Sequence, residues 1–518
     1  VRRALPALLA SAVLVLLVAL LTEAGLRLTG RHLVYPLDDT YIHMAVGRTL
    51  RTHGIWGVSP YGFTSCTSSL LWPLLLALTG MLGARAEWAP LALNVGAGLL
   101  VVAGASRLLR ENTPGGRLVV LLALVVLTPL PTLVATGMEH TLHVAAVLLL
   151  AGLFLRALDG PAPSGAWPLA AAAAATSALR YESLFLVAVA GALLAWHRRW
   201  PDAVATVLGG AAPPAAFALV SLSHGWYALP NSVVLKGAHF DLHRATGVLD
   251  ALGGRGLRML AHAPHVLVLV LAVLALLALT RGRPALRALQ VLFVLTALLH
   301  MHFADTGWLY RYEAYLVALG LVTLGLSLPG AGTEWGAGPR AATVALVLVA
   351  AYPLVERAAR AAWETPRASR NIFDQQYQVA RFLRRFHPAA SVAANDIGAI
   401  SYFADVRLLD LYGLATMDVA RARQAGGLTR EDLVRLAAAY RPEAIVVYRS
   451  WFGQTLPPEW LEAGTWKAPE QVVVADRVVT FYAPGPEARE RLVRSLQAFQ
   501  PELPPEVTVR LRDAPDEP

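Results

Sequence analysis

Lysine is almost missing from this 518-residue chain: it occurs only at Lys236 and Lys467, so arginine carries nearly all of the formal charge of +9. The arginines sit in short clusters between apolar runs and form no basic stripe interleaved with aromatics, which speaks against nucleic acid as a partner. Cysteine is limited to Cys66, which excludes an intramolecular disulfide and any cysteine-rich metal site. Charge of either sign is scarce as well. Charged residues make up 15% of the chain against 56% hydrophobic ones, with a mean hydropathy of +0.51, whereas an ordinary globular domain is about 25% charged. A chain this apolar has the lipid bilayer as its solvent.

What is present is a series of apolar runs. A helix needs about 20 apolar residues to cross the hydrocarbon core, and candidates lie at 6–28, 69–84, 87–106, 117–135, 140–157, 166–196, 203–222, 264–280, 286–302, 313–329 and 341–357. The 166–196 run is long enough for two short legs around Arg180-Tyr181-Glu182. Val1-Arg2-Arg3 precedes the first run without a small-residue cleavage pattern after it, as in an uncleaved signal anchor. Arginine clusters at Arg2-Arg3, Arg107/Arg110/Arg117, Arg198-Arg199 and Arg281/Arg283/Arg287 mark cytoplasmic loops. This puts 29–68, 223–263 and 303–312 outside. Parity then requires 69–84 and 87–106 together to make a single crossing. Counting on from Arg281 places the C-terminus outside.

From about residue 358 the composition changes to dense Arg, Glu and Asp, dividing the chain into a membrane module (1–357) and an extracytoplasmic α/β domain (358–518). In the latter, an amphipathic helix is predicted at 373–386, strands at 391–394, 406–411, 444–448 and 472–482, and helices at 429–440 and 486–499. No glycine-rich phosphate loop is evident.

Ionisable residues near hydrocarbon are costly and usually functional, so the polar residues at the outer ends of the spans are the candidates for chemistry. Tyr35-Pro36-Leu37-Asp38-Asp39-Thr40-Tyr41-Ile42-His43 places two adjacent carboxylates just after the first span. Adjacent carboxylates repel, so one holds its proton more tightly or both share a cation. Either arrangement suits a general base for a hydroxyl, or a ligand for a phosphate-holding metal. Capping of a helix that starts at Tyr41 explains the same residues as well.

The hydroxyl-rich stretch from Gly62 to Trp72 reads as a helix cap with an interfacial tryptophan. Gly137-Met138-Glu139-His140 puts a carboxylate at an outer helix end, and Arg180 and Glu182 sit together at a hairpin tip, where they also satisfy one another. Lys236, a rare lysine in an outer loop, offers a compact ammonium to a phosphate or is simply solvated. His300, His302 and Asp305 match no strong metal template. Arg311, among the interfacial aromatics Trp308, Tyr310 and Tyr312, supplies a bidentate fork.

Taken in order, these motifs resemble those of the GT-C superfamily of integral membrane glycosyltransferases, closest to the branch with the mycobacterial terminal arabinofuranosyltransferase. The likeness rests on Asp38-Asp39, Thr67-Ser68-Ser69-Leu70-Leu71-Trp72, Gly137-Met138-Glu139-His140-Thr141, Arg180-Tyr181-Glu182, and Pro230-Asn231-Ser232 with Lys236. It extends to Asn395-Asp396-Ile397-Gly398-Ala399 and Leu409-Asp410-Leu411-Tyr412-Gly413-Leu414, similar to the family's Asp-x-Gly-Ala and Asp-x-x-Gly-Leu elements. Tyr181 replaces the usual proline, His140 is inserted between the Glu and the Thr, and the Thr-Ser-Pro-Leu-Trp element is altered. These departures bear on the sugar and acceptor more than on the superfamily.

The resemblance implies a polytopic α-helical membrane protein of GT-C type, with about 10–11 transmembrane helices and a C-terminal α/β domain, in a bacterial inner membrane. Such an enzyme takes a sugar from a polyprenyl phosphate donor and passes it to a cell-envelope glycan or lipid acceptor on the outer side. Asp38 or Asp39 would be the general base, and Lys236, Arg180 and Arg311 would neutralise the leaving lipid phosphate. Thr40, His43, Glu139, Glu182, Asn231, Tyr312 and Asp396 would bind substrate. No cofactor is required, though family members differ on Mg or Mn at Asp38 and Asp39. Two rival readings are a flippase of lipid-linked sugars, which predicts mid-membrane charges and an internal repeat that the sequence does not show, and a scaffold in which the aspartates only cap a helix.

Overall fold

The structure is a computed structural model describing residues 4–83, 86–160, 166–236, 263–277, 280, 282–327 and 337–512, with backbone only for 236 and 337–350. Among the described residues, five helices are long and apolar enough to cross a membrane: Leu5–Leu28, Ala89–Leu108, His140–Asp159, Trp200–Ser223 and Pro284–Phe303. Pro114–Leu127 and Leu130–Thr136 form a further pair bent by 43°, with Pro129 and Pro131 at the break, where a missing N–H and the rigid ring interrupt the helix ladder. Leu71–Met81, Trp167–Leu179, Ser183–Trp196, Pro264–Leu277 and Ala314–Ser327 are shorter apolar helices. As anticipated, the 166–196 run is two legs that break at Arg180. Close approach of small residues holds the legs to their neighbours: a Cβ on Gly209 would lie 2.4 Å from the Ala170 carbonyl oxygen, and one on Gly210 2.6 Å from Val187.

The parity problem resolves at Leu71–Met81. This helix packs along Asp38–His53, with Gly47 against Pro73 and Gly80 against Arg51. The following Glu87 carbonyl accepts a hydrogen bond from Tyr35 Oη at 2.7 Å, so the chain enters Ala89–Leu108 from the end of the module it had not left. The helical module therefore has two distinct ends. One carries the arginine-rich turns, joined by contacts such as Asn112 to the Gly325 carbonyl, Arg283 to the Leu326 carbonyl and Arg199 to the Gly160 carbonyl. The other gathers the expected site motifs and is covered by the C-terminal domain.

The connection to that domain is one helix, Ala337–Ile372, which runs through position 358 and continues by a π turn, Phe373–Tyr377, into Gln378–Phe386. The domain contains strands β1 (Ser391–Ala394), β2 (Arg407–Asp410), β3 (Ala444–Val447), β4 (Leu461–Lys467), β5 (Val478–Ala483) and β6 (Thr508–Leu511), in the order β2-β1-β3-β5-β4-β6. β1 pairs in parallel with β2 and β3, while β5, β4 and β6 add antiparallel. The 472–482 strand is shorter than predicted. The Asn371 side-chain oxygen accepts from the backbone N–H groups of Val472, Val473 and Val474, which takes these groups out of the ladder. Helices Gly398–Phe403 and Met417–Gln424 and strands β4 and β6 were not evident in the sequence.

Candidate functional site

The site is built where helix Asp38–His53 meets the ends of the apolar helices that the C-terminal domain covers. The helix is capped by extended Leu37 and begins at Asp38 rather than Tyr41, so both aspartates occupy its first turn, where the partial positive charge of the helix end favours carboxylates. Successive side chains on a helix diverge by about 100°, and the two carboxylates part accordingly. Asp38 accepts from the backbone N–H of Gly398 at 2.7 Å and of Ala399 at 2.8 Å. Asp39 accepts from Arg311 Nη2 at 2.6 Å. Burial and the neighbouring Asp396 raise the Asp38 pKa to about 7, against the pull of its two N–H donors.

Asp39 lines a cavity of about 260 Å³. Its polar wall includes His43, Ser68, Arg180, Glu182, Ser232, Asp305, Arg311 and Tyr312, and its apolar wall Ile42, Tyr181, Leu184, Phe185, Leu229, Val233, Phe303 and Leu414. Arg180 is buried and forks between two acids: Nη1 meets Glu139 at 3.0 Å, while Nε and Nη2 hold Glu182. Glu139 is fully buried behind this wall, accepts weakly from Ser68 at 3.4 Å and faces His43 Nε2 at 3.6 Å. The Tyr312 ring lies 5.7 Å from the Arg180 guanidinium and 4.9 Å from that of Arg311, so its π face helps two nearby cations tolerate each other. Arg311 is 2% exposed, and its Nε and Nη1 have no hydrogen-bond partner among the described residues.

Arg311 reaches this place through a strained turn. Trp308, Leu309 and Tyr310 all have positive φ, at 43°, 56° and 64°, where an L-residue costs roughly 1–2 kcal/mol. Glu313 fastens the turn by accepting from Gly307 N at 2.8 Å and pairing with Arg357 at 2.8 Å and His265 at 3.1 Å.

Of the residues expected from sequence, Asp39, His43, Arg180, Glu182, Arg311 and Tyr312 line the cavity, and Glu139 backs it. Asp38 is turned toward the C-terminal domain. Thr40 donates to the Thr136 carbonyl at 2.7 Å. Asn231 ties the loop to the domain through the Gly413 carbonyl at 2.8 Å, and Asp396 accepts from Tyr448 Oη and Gln376. Lys236 ends helix Asn231–Lys236, and its side chain lies outside the described residues. His300 engages Tyr315 Oη and the Asp305 carbonyl, and the described residues contain no group of three or more His, Cys, Asp or Glu able to hold a metal. Asp38 and Asp39 direct their oxygens to N–H donors of separate elements, an arrangement that does not fit one cation shared between them. The cavity residues missed in the sequence are mainly apolar: Leu184, Phe185 and Phe303 look like any other membrane-helix residues until the fold groups them.

A family model described as a domain of unknown function (DUF8728) matches residues 370–482. No curated protein matches the chain. Among solved structures, ArnT from Cupriavidus metallidurans in the apo state is similar with a TM-score of 0.52 and 14% identity, over 92% of this chain and 99% of that one. The Archaeoglobus fulgidus oligosaccharyltransferase tethered with an acceptor peptide gives a TM-score of 0.50 and 11% identity, over 96% and 76%. Arabinofuranosyltransferase AftD from Mycobacteria gives 0.45 and 14% identity, over 91% of this chain and 40% of AftD. The first two establish the fold: a membrane helical module of GT-C type with a C-terminal α/β domain.

Proposed function

We propose that this chain is a membrane glycosyltransferase of GT-C type that moves a sugar from a polyprenyl-phosphate-linked donor to a cell-envelope glycan or lipid acceptor at the outer face of a bacterial inner membrane. The observation that carries this reading is the cavity lined by the Asp39 carboxylate, which pairs with the buried Arg311, and by a second buried guanidinium, Arg180, beside an apolar wall. Cations and apolar surface in one cleft suit a phosphate that bears a lipid chain.

In the reaction, the bond between the sugar's anomeric carbon and the phosphate oxygen breaks and a new bond forms from that carbon to the acceptor oxygen. The acceptor's proton goes to Asp39, and the electron pair of the broken bond leaves on the lipid phosphate. Charge building on that phosphate is met by the guanidiniums of Arg311 and Arg180, which line the cavity, and by Lys236. Stabilising developing charge with preorganised donors is a major source of rate enhancement. As phosphate draws on the Arg311 fork, its hold on Asp39 weakens and the carboxylate becomes the stronger base. Since Asp38 and Asp39 are engaged by N–H donors, the reaction is proposed to run without a divalent cation.

The deciding experiment is transfer by the purified protein from a panel of synthetic polyprenyl phosphate sugars, with and without EDTA, comparing wild type with Asp39→Asn. Transfer that survives chelation and disappears in a folded Asp39→Asn variant supports the reading. Turnover lost to EDTA and restored by Mg or Mn would overturn the metal-free part. No turnover with any donor would favour the flippase or scaffold.

A further inference from the structure

Helix Gly398–Phe403 of the C-terminal domain is gripped at both ends by one helix of the membrane module. At its start, the two Asp38 oxygens accept from the N–H groups of Gly398 and Ala399. At its finish, Arg48, ten residues further along the same module helix, donates from Nη1 to the Tyr402 carbonyl at 2.6 Å and from Nη2 to the Ser401 carbonyl at 2.9 Å. An acid at the amino end and a base at the carboxyl end match the partial charges of the short helix, and four otherwise orphaned backbone groups are satisfied. The Arg48 guanidinium also lies 5.6 Å from the Tyr402 ring. Between the two grips the surfaces are apolar: Ile42 and Val46 cluster with Ile397, and Tyr41 meets Phe403 at 5.2 Å between ring centroids. Backbone touches backbone, since a Cβ on Gly398 would fall 1.9 Å from the Asp38 carbonyl oxygen.

We infer that Asp38 is a positioning residue rather than the proton acceptor: together with Arg48 it clamps the C-terminal domain onto helix Asp38–His53, and this docking sets Asp39, the next residue, against Arg311. The inference rests on the glycosyltransferase reading and assigns different tasks to the two adjacent acids. A pKa near 7 would suit a general base, but the Asp38 oxygens point at backbone N–H groups, and the carboxylate lies outside the cavity wall. Its two-acceptor contact has a strict requirement. In Asp38→Asn one oxygen becomes an NH2, which faces an N–H donor and cannot accept from it.

Two readouts on full-length protein test this. Hydrogen exchange of the peptide spanning 396–404 reports docking and needs no substrate, while transfer kinetics report catalysis. Asp38→Asn and Arg48→Met should each raise exchange at Gly398 and Ala399 and lower kcat by about tenfold to a hundredfold, with the wild-type pH profile kept in the residual activity. Their double variant should lose less than the product of the two. Asp39→Asn should abolish transfer and leave exchange unchanged. The inference fails if Arg48→Met matches wild type in both readouts, or if Asp38→Asn is as inactive as Asp39→Asn while its exchange is normal. If no donor turns over, the exchange arm still decides the clamp, so the two ideas fail separately.

Discussion

Asp38 and Asp39 are neighbours in sequence yet belong to different contacts, because one residue on a helix turns the side chain by about 100°. The motif was legible; the division of labour was not, since it depends on Gly398 and Arg311, hundreds of residues away. For Arg311 the geometry makes a sharp expectation. Its fork holds Asp39 through Nη2 while the guanidinium also lines the cavity, and a lysine ammonium, a point charge without that fork, does not reproduce both. Arg311→Lys should lower kcat/KM by about a hundredfold, close to 2.7 kcal/mol, with thermal stability shifted by only a few degrees. An equal loss in Arg311→Met and Arg311→Lys would fit this fork; full activity in the lysine variant would show that charge alone suffices. Cys66 offers a reporter that needs no turnover. It is the only cysteine in the chain and lines the cavity, so a donor that fills the cavity should slow its modification by a small membrane-permeant thiosulfonate several-fold. Unchanged modification at saturating donor would place the lipid phosphate elsewhere.

Among elements, apolar periodicity and charge clusters revealed most of the helices, including the two legs around Arg180, because a span must satisfy its own backbone in lipid and so leaves a continuous apolar signature. The C-terminal strands β4 and β6 were hidden because they are half-exposed and contain glycine or charge, as in Leu461–Lys467. The turn before Arg311 was hidden for another reason: Trp308, Leu309 and Tyr310 do not announce a left-handed backbone, which sequence signals through glycine or asparagine. Trp308 is the informative position, since it is 52% exposed at φ 43°. Replacing it with glycine should give a more stable protein than replacing it with alanine, by about 1 kcal/mol, against the usual order of the two residues. Comparing melting temperatures of Trp308→Gly and Trp308→Ala checks this, and a more stable alanine variant would mean that the turn carries no such strain.

At the scale of the whole molecule, the proposed orientation rests on two observations of different kinds. Arg110, Arg198, Arg199 and Arg283 lie in the connections at one end of the helical module, where Asn112, Gly160, Gly325 and Leu326 also lie. At the other end, Leu28 accepts from Arg370, Gly225 from Arg421 and Gly413 from Asn231, so the C-terminal domain packs on the end that holds the cavity, which Leu414 helps to line. Arginine-rich turns resist translocation, and on that ground the proposed function has the opposite end, with the cavity and the domain, facing outward. Leu71–Met81 is what makes this consistent, since counting it as a crossing would invert every later loop. A reporter that functions only outside the inner membrane, fused after Pro518, should therefore be active, and the same reporter inserted between Arg110 and Pro114 should be silent. The reverse pattern would place the cavity on the cytoplasmic side, where a donor presented at the outer face could not reach Asp39.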